Sequence, residues 1–202
     1  MKGVNNRQKA RYFNDEGVVL VAQTLGEADK ILTIFTKEYG KLEILAKNIK
    51  KMGSRRAPAC DILSYSKFAI TKNKVDSLSE VVNISQLPKI KADLIKLSQA
   101  FIAAEVLNLI TPVGVPNPTI FDAFLDFLAK LSKTANLHEA KVVRAAFQVK
   151  LLTEAGWLGK DFQISNFAKF SNLDQFLTAK FESIFQKRLK SAEFANMIVR
   201  TA

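Results

Sequence analysis

The sequence predicts an α+β protein: an N-terminal five-stranded β-barrel followed by an all-helical domain. Three observations lead there. Between Gly17 and Ile84, apolar and β-branched residues come in short runs separated by turn residues. After Pro88 the apolar spacing lengthens to three and four, the period of an amphipathic helix. The chain of 202 residues is 48% hydrophobic, enough to bury a sizeable core.

The elements follow in order. Residues 1–14 carry Lys2, Arg7, Lys9 and Arg11 and no acid, and read as a loose basic arm. Gly17–Thr24, with Val18, Val19 and Val21, reads as the first strand. Ile31–Thr36 and Lys41–Ala46 flank Lys37-Glu38-Tyr39-Gly40, a hairpin signal in which Gly40 can supply a positive φ. Ile62–Thr71 sets Ser64, Ser66, Phe68 and Ile70 on one side against Lys67 and Thr71 on the other. A polar turn around Lys72-Asn73-Lys74 leads to a fifth run, Leu78–Ile84. Five short, meandering, antiparallel strands suit an OB-like barrel, and an SH3-like barrel has the same signature.

Pro88 suits a helix start. Leu94, Leu97, Phe101, Ala104 and Leu107 then mark one apolar helix face. The Pro- and Gly-rich stretch from Thr111 to Pro118 breaks the chain. The next helix sets Phe121, Phe124, Leu125, Leu128 and Leu131 against Asp122, Asp126 and Lys130. A third runs from Leu137 to Ala155, where Gly156 can cap it. Residues 157–171 read as irregular. A fourth helix takes Asn172 as N-cap and Leu173, Phe176, Phe181, Ile184 and Phe185 as its apolar face, and a last turn contains Phe194, Met197 and Ile198. The expected divisions are a basic arm at 1–14, a nucleic-acid-binding barrel at 15–85 and a helical domain at 86–202.

There are 30 Lys and Arg against 19 Asp and Glu, a formal net charge of +11, which favours polyanionic partners. Cys60 and His138 are the only residues of their kinds, so they cannot build a four-ligand zinc site, and no metal or cofactor is expected. The start lacks the apolar core of a signal peptide. The most apolar stretch, Phe101 to Val115, is interrupted by Glu105, Asn108 and Pro112 and falls short of a bilayer span, so a cytoplasmic protein is expected. Catalytic signatures are missing as well. The eight glycines are scattered, Gly40-Lys41 is followed by Leu42 where a P-loop needs Ser or Thr, and there is no Gly-x-Ser-x-Gly elbow. Cys60 reads as a small hydrophobe inside the barrel, and His138 and the Asp122/Asp126 pair read as solvated. The expectation is a non-enzymatic protein.

The informative feature is a cluster of cations. Lys47, Lys50, Lys51, Arg55, Arg56, Lys67, Lys72 and Lys74 are opposed within their span only by Asp61. Most fall in a Gly/Ser-containing loop between two strands. Such a loop can follow a phosphate backbone and release its counterions, or it can serve solubility alone. Arg11 adds a further cation from the arm. Tyr39 and Tyr65 are candidate base-stacking residues, or ordinary strand tyrosines. Trp157, after a helix-ending glycine, reads as a core plug.

Seven segments stand out in order: Asp15-Glu16-Gly17-Val18-Val19-Leu20, the run Gly26–Thr36, Tyr39-Gly40-Lys41-Leu42, the basic stretch Lys47–Arg56, Pro116-Asn117-Pro118 with Phe121, Lys150–Trp157, and Arg188-Leu189-Lys190-Ser191 with Phe194. Together they resemble the RecO family of bacterial DNA repair and recombination mediators. The resemblance implies an OB-fold followed by a helical domain. It also implies binding of single- and double-stranded DNA, strand annealing, and partnership with RecR and with the acidic tail of single-stranded-DNA-binding protein so that recombinase can load. Lys141, Arg144 and Lys150, projecting from one helix, are candidates to receive that tail. Many family members carry a four-cysteine zinc module after the helix that ends here at Gly156-Trp157. Residues 158–171 contain no cysteine, so the module is missing. Two other readings of the same residues are a general RNA-binding OB protein and an adaptor for acidic peptides.

Overall fold

The computed structural model describes residues 11–166, 169–186 and 188–201. Strands β1 (Arg11–Leu25), β2 (Asp29–Thr36), β3 (Gly40–Ala46), β4 (Tyr65–Lys72) and β5 (Ser77–Ser85) close into a barrel in the order β1-β2-β3-β5-β4. All pairs are antiparallel except β3 with β5, which meet in parallel through Leu45 and Ser77. This corrects the expected plain meander. It is the OB arrangement, and it decides between the two barrels that the sequence left open.

β1 begins at Arg11, so residues 11–14 of the expected loose arm are strand, pairing with the end of β4 from Arg11↔Lys72 onward. Residues 1–10 of the arm lie outside the described residues. The length of β1 has a reason: Arg11–Val18 pairs with β4 while Gly17–Leu25 pairs with β2, and an irregularity between Val19 and Val21 lets one strand serve both edges. Asp15 holds the neighbouring hairpin. Its buried carboxylate accepts the Glu38 and Tyr39 backbone N–H groups at 2.9 and 3.1 Å. Gly40 takes φ +70° where the hairpin turns, as expected.

Two cores form, because alternate residues of a strand point to opposite faces. Inside the barrel lie Val19, Leu32, Ile34, Ile44, Cys60, Phe68 and Ile70. On the outside, Val18, Leu20, Phe35 and Leu63 join a second core with the helices. The last five residues of β2 are therefore buried on both faces.

The helices are α1 (Pro88–Lys91), α2 (Leu94–Ile110), α3 (Pro118–Leu131), α4 (Leu137–Glu154), α5 (Phe170–Phe185) and α6 (Lys190–Thr201). The single helix expected from Pro88 is two, since Asp93 caps a new one by accepting the Ile95 and Lys96 N–H groups. α2 packs against α4, α6 and β1, so it is buried on several sides, Ser98 and Gln99 included, while Leu94 of its expected apolar face is exposed. α5 starts at Phe170, two residues before the expected cap Asn172, and the Phe170 ring meets His138 of α4 edge-on. Trp157, expected as a core plug, is half exposed, because the Leu152 carbonyl accepts its N–H and the chain turns outward after Gly156. No helix among the described residues is long and apolar enough to cross a membrane.

Barrel and helices are joined by more than the shared core. Lys41 Nζ donates to the Asn108 carbonyl at 2.6 Å, and the Lys41 carbonyl accepts the Gly114 N–H at 2.8 Å. These bonds tie Lys41 to the seam, where partial burial lowers its pKa.

Candidate nucleic-acid interface

The basic loop between β3 and β4 is built on a buried anchor. Ile49 is 1% exposed and plugs the barrel core, which turns its neighbours Asn48 and Lys50 toward solvent. Asp29 Oδ1 accepts the Asn48 N–H at 2.7 Å, and the Ala28 carbonyl accepts the Lys50 N–H at 2.9 Å, so the loop is tied to the β1–β2 turn. The Asp76 carbonyl accepts the Leu45 N–H at 2.9 Å, which brings the β4–β5 turn to the same end of β3. Three connections thus converge where β3 ends: the β1–β2 turn, the basic loop and the β4–β5 turn.

This convergence gathers most of the expected cations. Lys47, Lys50, Lys51 and Arg55 are exposed on the loop, and Lys72 and Lys74 are exposed at the β4–β5 turn. Arg11 is the backbone partner of Lys72. Two nearby acids are engaged, Asp29 with the Asn48 N–H and Asp61 with Lys30 Nζ at 3.4 Å, while Glu27 in the β1–β2 turn and Asp76 in the β4–β5 turn offset part of the positive charge. Arg56 differs from its neighbours. It is half-buried and donates to the Lys47 carbonyl at 2.8 Å and the Ser79 carbonyl at 3.5 Å, closing the loop on itself and on β5. Lys67 also stands apart, exposed midway along β4 between Glu16 of β1 and Val82 of β5.

The aromatic candidates separate too. Tyr39 is 39% exposed, with its ring centroid 4.1 Å from that of Phe13. Tyr65 donates its hydroxyl to Glu16 at 2.6 Å and packs near Phe121; burial and that bond push its pKa up to about 12. It therefore belongs to the barrel–helix seam. Tyr12, 55% exposed beside the Arg11↔Lys72 pair, was missed by sequence reasoning because the first strand was placed too late.

The helical candidates also divide. Arg144 is 4% exposed and its guanidinium is bonded to Asp174 of α5, so it is not available to an incoming carboxylate. Lys141 lies 3.4 Å from the same aspartate. The physical reason is that α5 packs on this face of α4, which the period of α4 alone does not reveal. Lys150 instead borders a groove between α3 and α4. The groove comprises two adjoining hollows of about 530 and 380 Å³, with Phe127, Val142, Val143 and Phe147 as apolar lining; Lys130 borders both, Lys133 the first and Lys150 the second, and two acids, Glu139 and Asp126, line them too, Asp126 pairing with Lys130 at 2.7 Å. Lys130 and Lys133 were missed because the groove needs two helices to form. Cys60 is fully buried in the barrel core, where burial pushes its thiol up to about 11.

Comparison with known proteins agrees with this architecture. Residues 10–87 match Recombination protein O N terminal, and residues 91–158 match Recombination protein O C terminal. Similar proteins include DNA repair protein RecO of Pelotomaculum thermopropionicum, 28% identical over 148 residues, which are 73% of this chain and 56% of the relative. The Acetivibrio thermocellus protein of the same name is 31% identical over 147 residues, 72% of this chain and 58% of the relative. That of Bacillus subtilis is 30% identical over 142 residues, 70% and 54% respectively. The chain thus spans about half the length of the curated relatives it matches, and the two matched regions end at residue 158, before α5 and α6. With the OB barrel and the first helices matched in order, the chain belongs to the RecO family.

Proposed function

We propose that the chain is a DNA repair and recombination mediator. It binds single- and double-stranded DNA through the cationic end of its barrel, promotes annealing of complementary strands, and helps load recombinase together with RecR and single-stranded-DNA-binding protein. The observation that carries this reading is the convergence of three connections at the end of β3, which gathers Lys47, Lys50, Lys51, Arg55, Lys72 and Lys74. OB barrels use the β1–β2 and β4–β5 loops for oligonucleotides, and those are two of the three connections here. The mode is electrostatic and insensitive to base sequence, since lysines and arginines on loops follow phosphates.

The test is a salt titration of oligonucleotide binding. Each phosphate contact to a single strand contributes roughly 0.7 to the log–log slope, so Lys50→Ala/Lys51→Ala/Arg55→Ala flattens it by up to about 2. A folded triple variant with wild-type affinity and slope would remove the loop as the DNA site and shift attention to Lys67, Lys72, Lys74 and Arg11. Matched RNA binding more tightly than DNA would favour the RNA-binding alternative.

The groove between α3 and α4 supports the partner part of the reading. An apolar lining bordered by Lys133 and Lys150, with Lys130 engaged by Asp126 between them, fits an acidic peptide with an apolar end, such as the tail of single-stranded-DNA-binding protein. Replacing the three lysines with Ala should abolish binding of the tail peptide and leave oligonucleotide affinity unchanged. Unaltered tail affinity would exclude this groove.

A further inference from the structure

We propose that Met52, at the apex of the basic loop, makes direct contact with the bases of a bound single strand. The proposal rests on the reading that this loop binds DNA, and it adds a base-contacting side chain to an interface otherwise made of phosphate ligands.

The starting observation is exposure. Met52 is 103% exposed, whereas the next most exposed large apolar residue among those described, Val82, is at 65%. Nothing among the described residues packs on it. The backbone gives no reason for an apolar residue there either. The Lys51 carbonyl accepts the Ser54 N–H at 3.0 Å, and Gly53 has φ +78°. That is a type II turn with Met52 at its first corner, a position that Pro suits best and that most polar residues tolerate. A methionine at this corner stabilises neither the turn nor the core.

Its setting supplies the ligand chemistry. Lys50, Lys51 and Arg55 surround the corner and are all exposed. The base of the loop is fixed by Ile49 in the barrel core and by the bond from the Lys50 N–H to the Ala28 carbonyl. The turn is therefore presented on a rigid support. When phosphates settle on the three cations, the side chain at the corner is carried toward the nucleotides. A thioether is polarisable and flexible, so it can lie on the face of any base. Methionine is also among the apolar side chains that wedge between base steps. Such a contact is indifferent to sequence and favours unstacked strands over a closed duplex, which suits a protein that handles strands before they pair.

The experiment uses the full chain and two single strands of equal length, one containing 2-aminopurine and one wholly abasic. Met52→Ala, Met52→Gln and Met52→Leu are compared with wild type. The wild type should bind the base-containing strand more tightly than the abasic one and raise 2-aminopurine fluorescence by unstacking. Met52→Ala and Met52→Gln should lose that rise and bind the base-containing strand about threefold to tenfold more weakly. Their affinity for the abasic strand and their salt slope should be unchanged, and Met52→Leu should behave as wild type. Wild-type affinity and fluorescence in Met52→Ala would overturn the proposal while leaving the electrostatic interface intact. So would an equal loss on both strands, which would trace the effect to the loop backbone. Failure of the wild type to bind either strand would overturn the DNA reading itself, and this one with it.

Discussion

Two neighbouring arginines with the same charge have different jobs. Arg55 is exposed and bonds to no acceptor among the described residues, whereas Arg56 bridges the Lys47 and Ser79 carbonyls. Arg56→Ala should cost about 1 kcal/mol of stability, and Arg55→Ala should stay within about 0.5 kcal/mol. Equal denaturant midpoints for the two variants would contradict this assignment. Gly40 is constrained still more. A Cβ there would lie 2.2 Å from the Val115 carbonyl oxygen, in a left-handed backbone conformation. Gly40→Ala should therefore destabilise the fold by more than about 2 kcal/mol, read as a shift in the denaturant midpoint. Cys60 should resist thiol reagents at pH 8 in the native protein and react promptly on unfolding. Its thiol is buried and pushed up to about 11, so little thiolate forms and little of it is reachable. Rapid native-state labelling would count against the barrel core as drawn.

Among the elements, α4 carries the most consequential pairing. Its Arg144 is buried against Asp174 of α5, and burial lowers the arginine pKa while the carboxylate holds it up. Asp174→Asn leaves a buried guanidinium without a counter-charge, a loss of about 3 kcal/mol. Removing both charges in Arg144→Met/Asp174→Leu should recover most of that loss, because the pair itself was expensive to desolvate. If chemical denaturation finds the double variant as unstable as the single one, the ion pair contributes more than compensation. The same packing of α5 leaves Lys150 at the groove between α3 and α4 and puts Lys141 in a separate hollow between α4 and α5, beside Asp174.

At the scale of the whole molecule, the barrel and the helices share one core. Val18, Leu20, Phe35 and Leu63 of the barrel bury against Phe121, Phe124 and Leu107, and Lys41 bonds across the seam to Asn108. Thermal unfolding should be one cooperative transition, with calorimetric and van't Hoff enthalpies in agreement. Two separated transitions would mean that the barrel stands alone.

Local order along the chain was enough for the element types and the cationic loop, because alternation, helical period and charge are local properties. Lys37–Gly40 was legible as a turn for the same reason, as were the caps that end α4. The tertiary structure decided what depends on contact between distant segments. It made Arg56 a brace and Arg144 a buried ion, turned Trp157 outward, began β1 at Arg11 because β4 offered an edge, and set β3 beside β5 in parallel. Each of those outcomes turns on which surface meets which, and burial, unlike periodicity, is a property of the pair of surfaces rather than of either segment.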